Sequence, residues 1–169
     1  MNKENKKRFQ ELYLKTKLIS HPSFIGRENC MPPANTKEAG ANDLTRLVID
    51  FLDMSGHFAE RISTTGRMVD KSKQVTDCIG RTRTIGSMTY IPTTGVKGSA
   101  DISSTIKIIT MGQEIGLSVK WEVKWGKDFQ SNYQKEYEDK TNKAGGKYYI
   151  IKTFDEFIEI YDSLLNSFL

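Results

Sequence analysis

Two neighbouring segments of strict alternation constrain this chain more than any other feature of it. From Ala100 to Ile109 the positions Ala100, Ile102, Ser104, Ile106 and Ile108 are mostly apolar, with Asp101, Ser103, Thr105 and Lys107 between them. From Leu117 to Trp125 the apolar set is Leu117, Val119, Trp121, Val123 and Trp125, and Lys120, Glu122 and Lys124 take the alternate positions. A period of two marks a strand with one buried face. A hairpin closing over Thr110 to Gln113 pairs Ile108 with Ile115, Ile106 with Leu117, Ser104 with Val119, Ile102 with Trp121 and Ala100 with Val123. The apolar sets then share a face. A slip of one residue would turn them apart, so burial pins this register.

That register sets Asp101 opposite Glu122 on the other face, with Cβ atoms roughly 5 Å apart. Like charges at that distance repel, and a divalent cation between them removes the conflict. Oxygen ligation by Asp101, Glu122, the carbonyl of Val123 and waters suits Mg²⁺ or Mn²⁺ and not zinc. Lys124 projects to the same side as Glu122, within reach of a water held by such a metal. There it would stabilise or help deprotonate the attacking water. The competing reading is an amphipathic strand with a solvated Lys-Glu-Lys face, because Glu-x-Lys alone is a common tripeptide.

The surrounding elements follow from periodicity and punctuation. Phe9, Leu12, Tyr13 and Leu18 predict an N-terminal helix over residues 3–18. The Pro- and Gly-containing segment from His21 to Gly40 reads as irregular. Asn42 or Asp43 is expected to cap a helix whose Leu44, Leu47, Val48, Phe51 and Leu52 form a core stripe ending before Gly56. HFAERIST reads as a strand. A Gly-, Thr- and Arg-rich stretch to about Lys97 follows, with further extended structure at RTIGSMTYI. Ser131 and Gln134 form a capping box for a helix that stops at Gly145-Gly146; KYYIIK is a short strand; Thr153 and Glu156 predict a second capping box for the last helix.

The chain's 169 residues, 37% hydrophobic and 27% charged, suit one globular domain with a core. No apolar run approaches the eighteen or so residues of a membrane span, and MNKENKKRFQ lacks the apolar stretch of a signal peptide, so no membrane partner is expected and a cytoplasmic location is. Cys30 and Cys78 are the only cysteines, which argues against a disulfide scaffold and a structural zinc. The net charge of +4 leans toward a polyanionic partner. Between Arg61 and Lys97 the basic residues Arg61, Arg67, Lys71, Lys73, Arg81, Arg83 and Lys97 face only Asp70 and Asp77. Either they contact phosphates or they are solvated loop charges. Arg67, Arg81, Arg83 and Lys97, with Lys127, are the candidate DNA contacts.

The succession G98-S-A-D101, W121-E-V-K124-W-G, S131-N-Y-Q134 and A144-G-G-K-Y-Y resembles the VRR-NUC family of PD-(D/E)XK nucleases over about residues 98–157. The resemblance implies a restriction-endonuclease-like α/β core, a mixed sheet flanked by helices, over residues 41–169. Residues 1–40 are then an added helix and irregular lead-in. It also implies metal ligation by Asp101 and Glu122, a catalytic Lys124 and an active-site Gln134, although the capping box accounts for Gln134 equally well. Ala100 stands where the superfamily's proline would be, and Asn42 and Asp43 stand near the place of a first-helix glutamate. The implied activity is Mg²⁺- or Mn²⁺-dependent hydrolysis of DNA by a homodimer acting on branched substrates, without a small-molecule cofactor. The alternatives are a sequence-specific or nicking nuclease of the same superfamily, or a DNA-binding module without catalysis.

Overall fold

The computed structural model describes residues 1–93, 95–110 and 112–168; Thr94, Met111 and Leu169 lie outside the described residues, Met111 falling within the expected hairpin turn. Helix α1 spans Lys3–Ser20 and is opened by Asn2, whose side chain accepts the Asn5 N–H at 2.8 Å. Helix α2 spans Ala41–Met54, and its stripe of Leu44, Leu47, Val48, Phe51 and Leu52 is buried throughout. The expected cap is corrected. Gly40 precedes the helix with no side-chain cap, and Asn42 and Asp43 lie inside the first turn. A carboxylate there still faces free N–H groups and the positive end of the helix dipole. Asp43 therefore accepts the Ala39 N–H at 3.1 Å, and Asn42 accepts Arg61 Nη2 at 2.8 Å.

Strand β1 covers Phe58–Arg61 only, shorter than the expected HFAERIST. It is followed by β2 (Arg67–Asp70), β3 (Lys73–Thr76), β4 (Thr82–Ile85) and β5 (Met88–Ile91). The two alternating segments form β6 (Ile102–Thr110) and β7 (Gln113–Val123); then come α3 (Asn132–Lys143), β8 (Lys147–Ile151) and α4 (Phe154–Asn166). Among the described residues this is a mixed α/β chain of four helices, a four-stranded sheet and two small hairpin sheets. The main sheet has the order β1-β6-β7-β8, antiparallel except for the parallel β7–β8 pair that α3 connects. The β6–β7 register runs from Ile102 with Trp121 to Thr110 with Gln113, as burial of the apolar face requires. Trp125 lies past the end of β7 and is exposed.

One face of the sheet packs on α2 and α4 through aromatic edges. Trp121 meets Phe157 with ring centroids 4.9 Å apart, Phe51 meets Phe157 at 5.6 Å, and Phe9 of α1 meets Phe154 at 5.7 Å. The lead-in shares this core. Arg8 forms a two-pronged pair with Asp162 at 2.7 and 2.9 Å, and Glu38 accepts the Phe154 N–H at 2.7 Å. The second capping box forms by half: Thr153 accepts the Glu156 N–H, while the Glu156 carboxylate takes the Lys152 N–H at 2.7 Å instead of that of Thr153. No helix of the described residues is long and apolar enough to cross a membrane.

Strands β2–β5 make one continuous ribbon. Arg67 pairs with Ile91, Asp70 with Met88, Lys73 with Ile85 and Thr76 with Thr82. Bonds from Lys71 N–H to the Ser87 carbonyl and from Asp77 N–H to the Arg81 carbonyl carry the same register across the gap and toward the tip. At the gap Gly86 takes φ 105°, and a Cβ there would lie 2.7 Å from the Lys71 carbonyl oxygen. Only glycine fits this kink.

His57, just after α2, locks α4 to the sheet. Its Nδ1 accepts the Lys107 N–H at 3.1 Å and its Nε2 lies 2.8 Å from the Tyr161 hydroxyl. The accepting Nδ1 assigns the proton to Nε2. Burial, then the charge of Lys107, hold the His57 pKa below the usual histidine value. The unfolded chain thus takes up this proton more readily than the folded one. Stability from His57 is present above about pH 6.5 and is lost as pH falls toward the depressed folded value. Thermal melts of the native chain should show this acid-side loss, and melts of His57→Gln should show less of it.

Candidate active site

Strand β7 carries Glu122 near its end, and Lys124 follows one residue past it, both on the face opposite the aromatic core. That face is covered at Glu122 and Lys124, contrary to the competing reading of a solvated Lys-Glu-Lys face. Glu122 is 2% and Lys124 5% exposed, because the start of α3 lies over them. Gln134 makes the connection. Its backbone N–H donates to Ser131 Oγ at 3.3 Å and its Oε1 accepts the Ser131 N–H at 2.8 Å, completing the capping box. Lys124 Nζ also donates to Oε1, at 3.1 Å. With Oε1 occupied by two donors, Nε2 is turned to Glu122 Oε1, to which it donates. One amide thus serves the capping box and contacts both Glu122 and Lys124.

Glu122 is closed in from three directions. Lys124 Nζ lies 3.0 Å from Oε1, Gln134 shares that oxygen, and the Tyr148 hydroxyl donates to Oε2 at 3.1 Å. Tyr148 was not found by sequence reasoning. The signal was available: with β8 parallel to β7, Tyr148 pairs with Lys120 and falls on the Glu122 face. Lys124 also borders an open depression lined by Asp128, Phe129, Gln130, Lys135, Ile150 and Lys152, whose lysines escaped notice as well.

Asp101 does not sit in a ladder pair with Glu122. It occupies a bend just before β6, its carbonyl accepts the Ile62 N–H at 2.8 Å, and its Oδ2 accepts the Val123 N–H at 2.9 Å. The side chain thus takes the backbone bond that Ala100 had been expected to take by pairing with Val123. A strand residue's N–H and C=O point to the same neighbour, so the Val123 carbonyl is directed to the Asp101 side.

The electrostatics are those of a crowded carboxylate. Burial raises the Glu122 pKa, the hydrogen bond from Lys124 opposes this, and the negative charge of Asp101 raises it further; the net direction is upward. For Lys124, burial alone would lower the pKa, but its hydrogen bond to Glu122, the charge of Glu122 and that of Asp128 outweigh it and hold the ammonium protonated. Tyr148 is pushed up by burial and by the Glu122 charge, so it stays a donor. The repulsion between Asp101 and Glu122 and their oxygen-only donor set fit a small divalent cation, which commonly takes one or two carboxylates and keeps several waters.

Gly98 ties the segment before Asp101 to α3. Its φ is 82°, and an added Cβ would stand 2.4 Å from the carbonyl carbon and oxygen of Tyr133 and 2.9 Å from the Gln134 nitrogen. Beside it Lys97 is exposed, with Nζ 3.8 Å from the centre of the Tyr133 ring. Lys127 is exposed between β7 and α3, whereas Arg67, Arg81 and Arg83 lie on the ribbon and not among these residues. Gly98→Ala should push the first turn of α3 off the sheet, costing about 1–3 kcal/mol for the overpacking. Denaturant unfolding measures the loss; an unchanged midpoint would contradict this packing. Compared with protein-family models, with curated proteins and with solved structures, the chain gives no match.

Proposed function

We propose that this chain is a metal-dependent endonuclease of the PD-(D/E)XK type, resembling the VRR-NUC family, that hydrolyses phosphodiester bonds in DNA. Branched DNA is the preferred substrate and a homodimer the working form, both as that resemblance implies. The observation that carries the reading is the buried Glu122–Lys124 pair held by Gln134, with the Asp101 carboxylate at the neighbouring strand end. A restriction-endonuclease-like core is supported by the mixed sheet order, with α2 and α4 packed on the aromatic face and the start of α3 over Glu122.

Asp101, Glu122 and the Val123 carbonyl would hold Mg²⁺ or Mn²⁺. The metal would supply a water of lowered pKa and neutralise charge on a phosphoryl oxygen. Lys124 remains cationic beside Glu122, which suits it to stabilise negative charge developing on the phosphate and not to abstract a proton. Gln134 fixes both side chains through one amide. Tyr148 holds the second Glu122 oxygen, leaving the carboxylate little rotational freedom. A non-catalytic DNA-binding module would gain nothing from two repelling carboxylates close to phosphates.

With Mg²⁺ or Mn²⁺ the chain should cut a labelled four-way junction in preference to linear duplex, and a chelator should abolish cutting. Asp101→Asn and Glu122→Gln should each reduce cutting by at least about 100-fold, the scale of losing one group that stabilises the transition state, while junction binding is retained. Cutting by either variant at the native rate would sink the assignment.

A further inference from the structure

The ribbon of β2–β5 has two chemically different faces. In a two-stranded ribbon successive side chains alternate, and cross-strand partners share a face. Arg67, Lys71, Lys73, Arg81 and Arg83 all fall on the face that carries the pairs Arg67–Ile91, Lys73–Ile85 and Val75–Arg83. The opposite face, with Met68–Tyr90, Gln74–Thr84 and Thr76–Thr82, carries no basic residue. All five cations are exposed. Among the described residues none of them forms an ion pair, although Asp77 lies on the same face across from Arg81. Sorting of this kind has no structural use in a solvated loop, which would scatter its charges over both faces.

The feet of the ribbon stand beside the candidate site. The incoming foot follows β1, where Ile62 N–H meets the Asp101 carbonyl, and the outgoing foot ends at Gly98 against Tyr133 and Gln134. From Arg67 to the tip the ribbon advances about 3.3 Å per residue, roughly 40 Å in all, which spans about 12 base pairs at about 3.4 Å each. A two-stranded ribbon also fits the roughly 12 Å width of a B-form major groove.

We propose that the ribbon is an arm that lies along a DNA duplex, its cationic face against the phosphates, and extends the grip beyond the cutting site. This rests on the nuclease reading but is tested apart from it, by binding without divalent metal. The triple variant Lys73→Gln, Arg81→Gln, Arg83→Gln is compared with Lys3→Gln, Lys6→Gln, Lys15→Gln, which removes equal charge from α1. Fluorescence anisotropy with a labelled 30-base-pair duplex is read across a salt series.

The ribbon variant should bind at least tenfold more weakly, with a log–log salt slope shallower by roughly 2 to 3, about 0.9 for each phosphate that is no longer neutralised. The α1 variant should stay within about twofold of native. Equal weakening in both variants, an unchanged slope in the ribbon variant, absent binding by the native chain, or a change only in self-association would overturn the arm. Native-rate cutting by the metal-site variants would sink the nuclease assignment and leave the arm standing as long as the ribbon variant still loses duplex binding, so the two readings fail separately.

Discussion

A buried carboxylate must be answered by its surroundings, and much of this structure is arranged around Glu122. Taking both Glu122 and Lys124 out of water costs several kcal/mol for each ion, a penalty that their attraction offsets only with good geometry and further hydrogen bonds. Those bonds come from elements far apart in sequence: Gln134 from α3 and Tyr148 from β8. The parallel β7–β8 pairing brings Tyr148 to the right face, the capping box orients Gln134, and Gly98 lets the backbone of α3 approach. A well-packed apolar cluster would serve the fold as well or better, which is why the buried ion pair supports the proposed catalytic reading.

The same arrangement limits what the proposed chemistry would be. Asp101 adds a second negative charge next to a carboxylate already disfavoured by burial, and it is anchored by the Val123 N–H so that it cannot swing away without breaking that bond. Protonation or a cation relieves such a pair. Lys124, committed to Glu122 and Gln134, is a fixed positive charge and not a base in waiting. On the proposed reading, two carboxylates and a held ammonium would suit an anionic centre that gains charge during reaction, as a phosphodiester does. The ribbon extends this logic, placing sorted cations on an arm rooted at both ends of the Asp101 segment.

How legible this was depended on whether a local rule or a tertiary partner decided each feature. The β6–β7 register followed from alternation, because Ile102, Ile106, Val119 and Trp121 can be buried together in one way only. The stripe of α2 and the Ser131–Gln134 cap are local patterns and were readable for the same reason. The start of α2 was misplaced because Asp43 can serve the preceding N–H groups from within the first turn. Burial of Glu122 and Lys124 was not visible, since polar residues on a strand face look solvated until α3 is known to lie over them. Nor was the ladder's end at Ile102, which the Asp101 side chain imposes by taking the Val123 N–H. The ribbon read as a loop with extended parts because its strands are short, exposed and interrupted at Gly86, giving no hydrophobic period to detect.

The most direct test of the central claim, that Asp101 and Glu122 share a divalent cation, is thermal unfolding of the purified chain under Mn²⁺ titration without DNA. An ion that binds only the folded state stabilises it by RT ln(1 + [L]/Kd). The native chain should show a saturable rise in Tm, and Asp101→Asn should lose most of it. A native Tm indifferent to Mn²⁺, or an equal rise in Asp101→Asn, would contradict a shared cation.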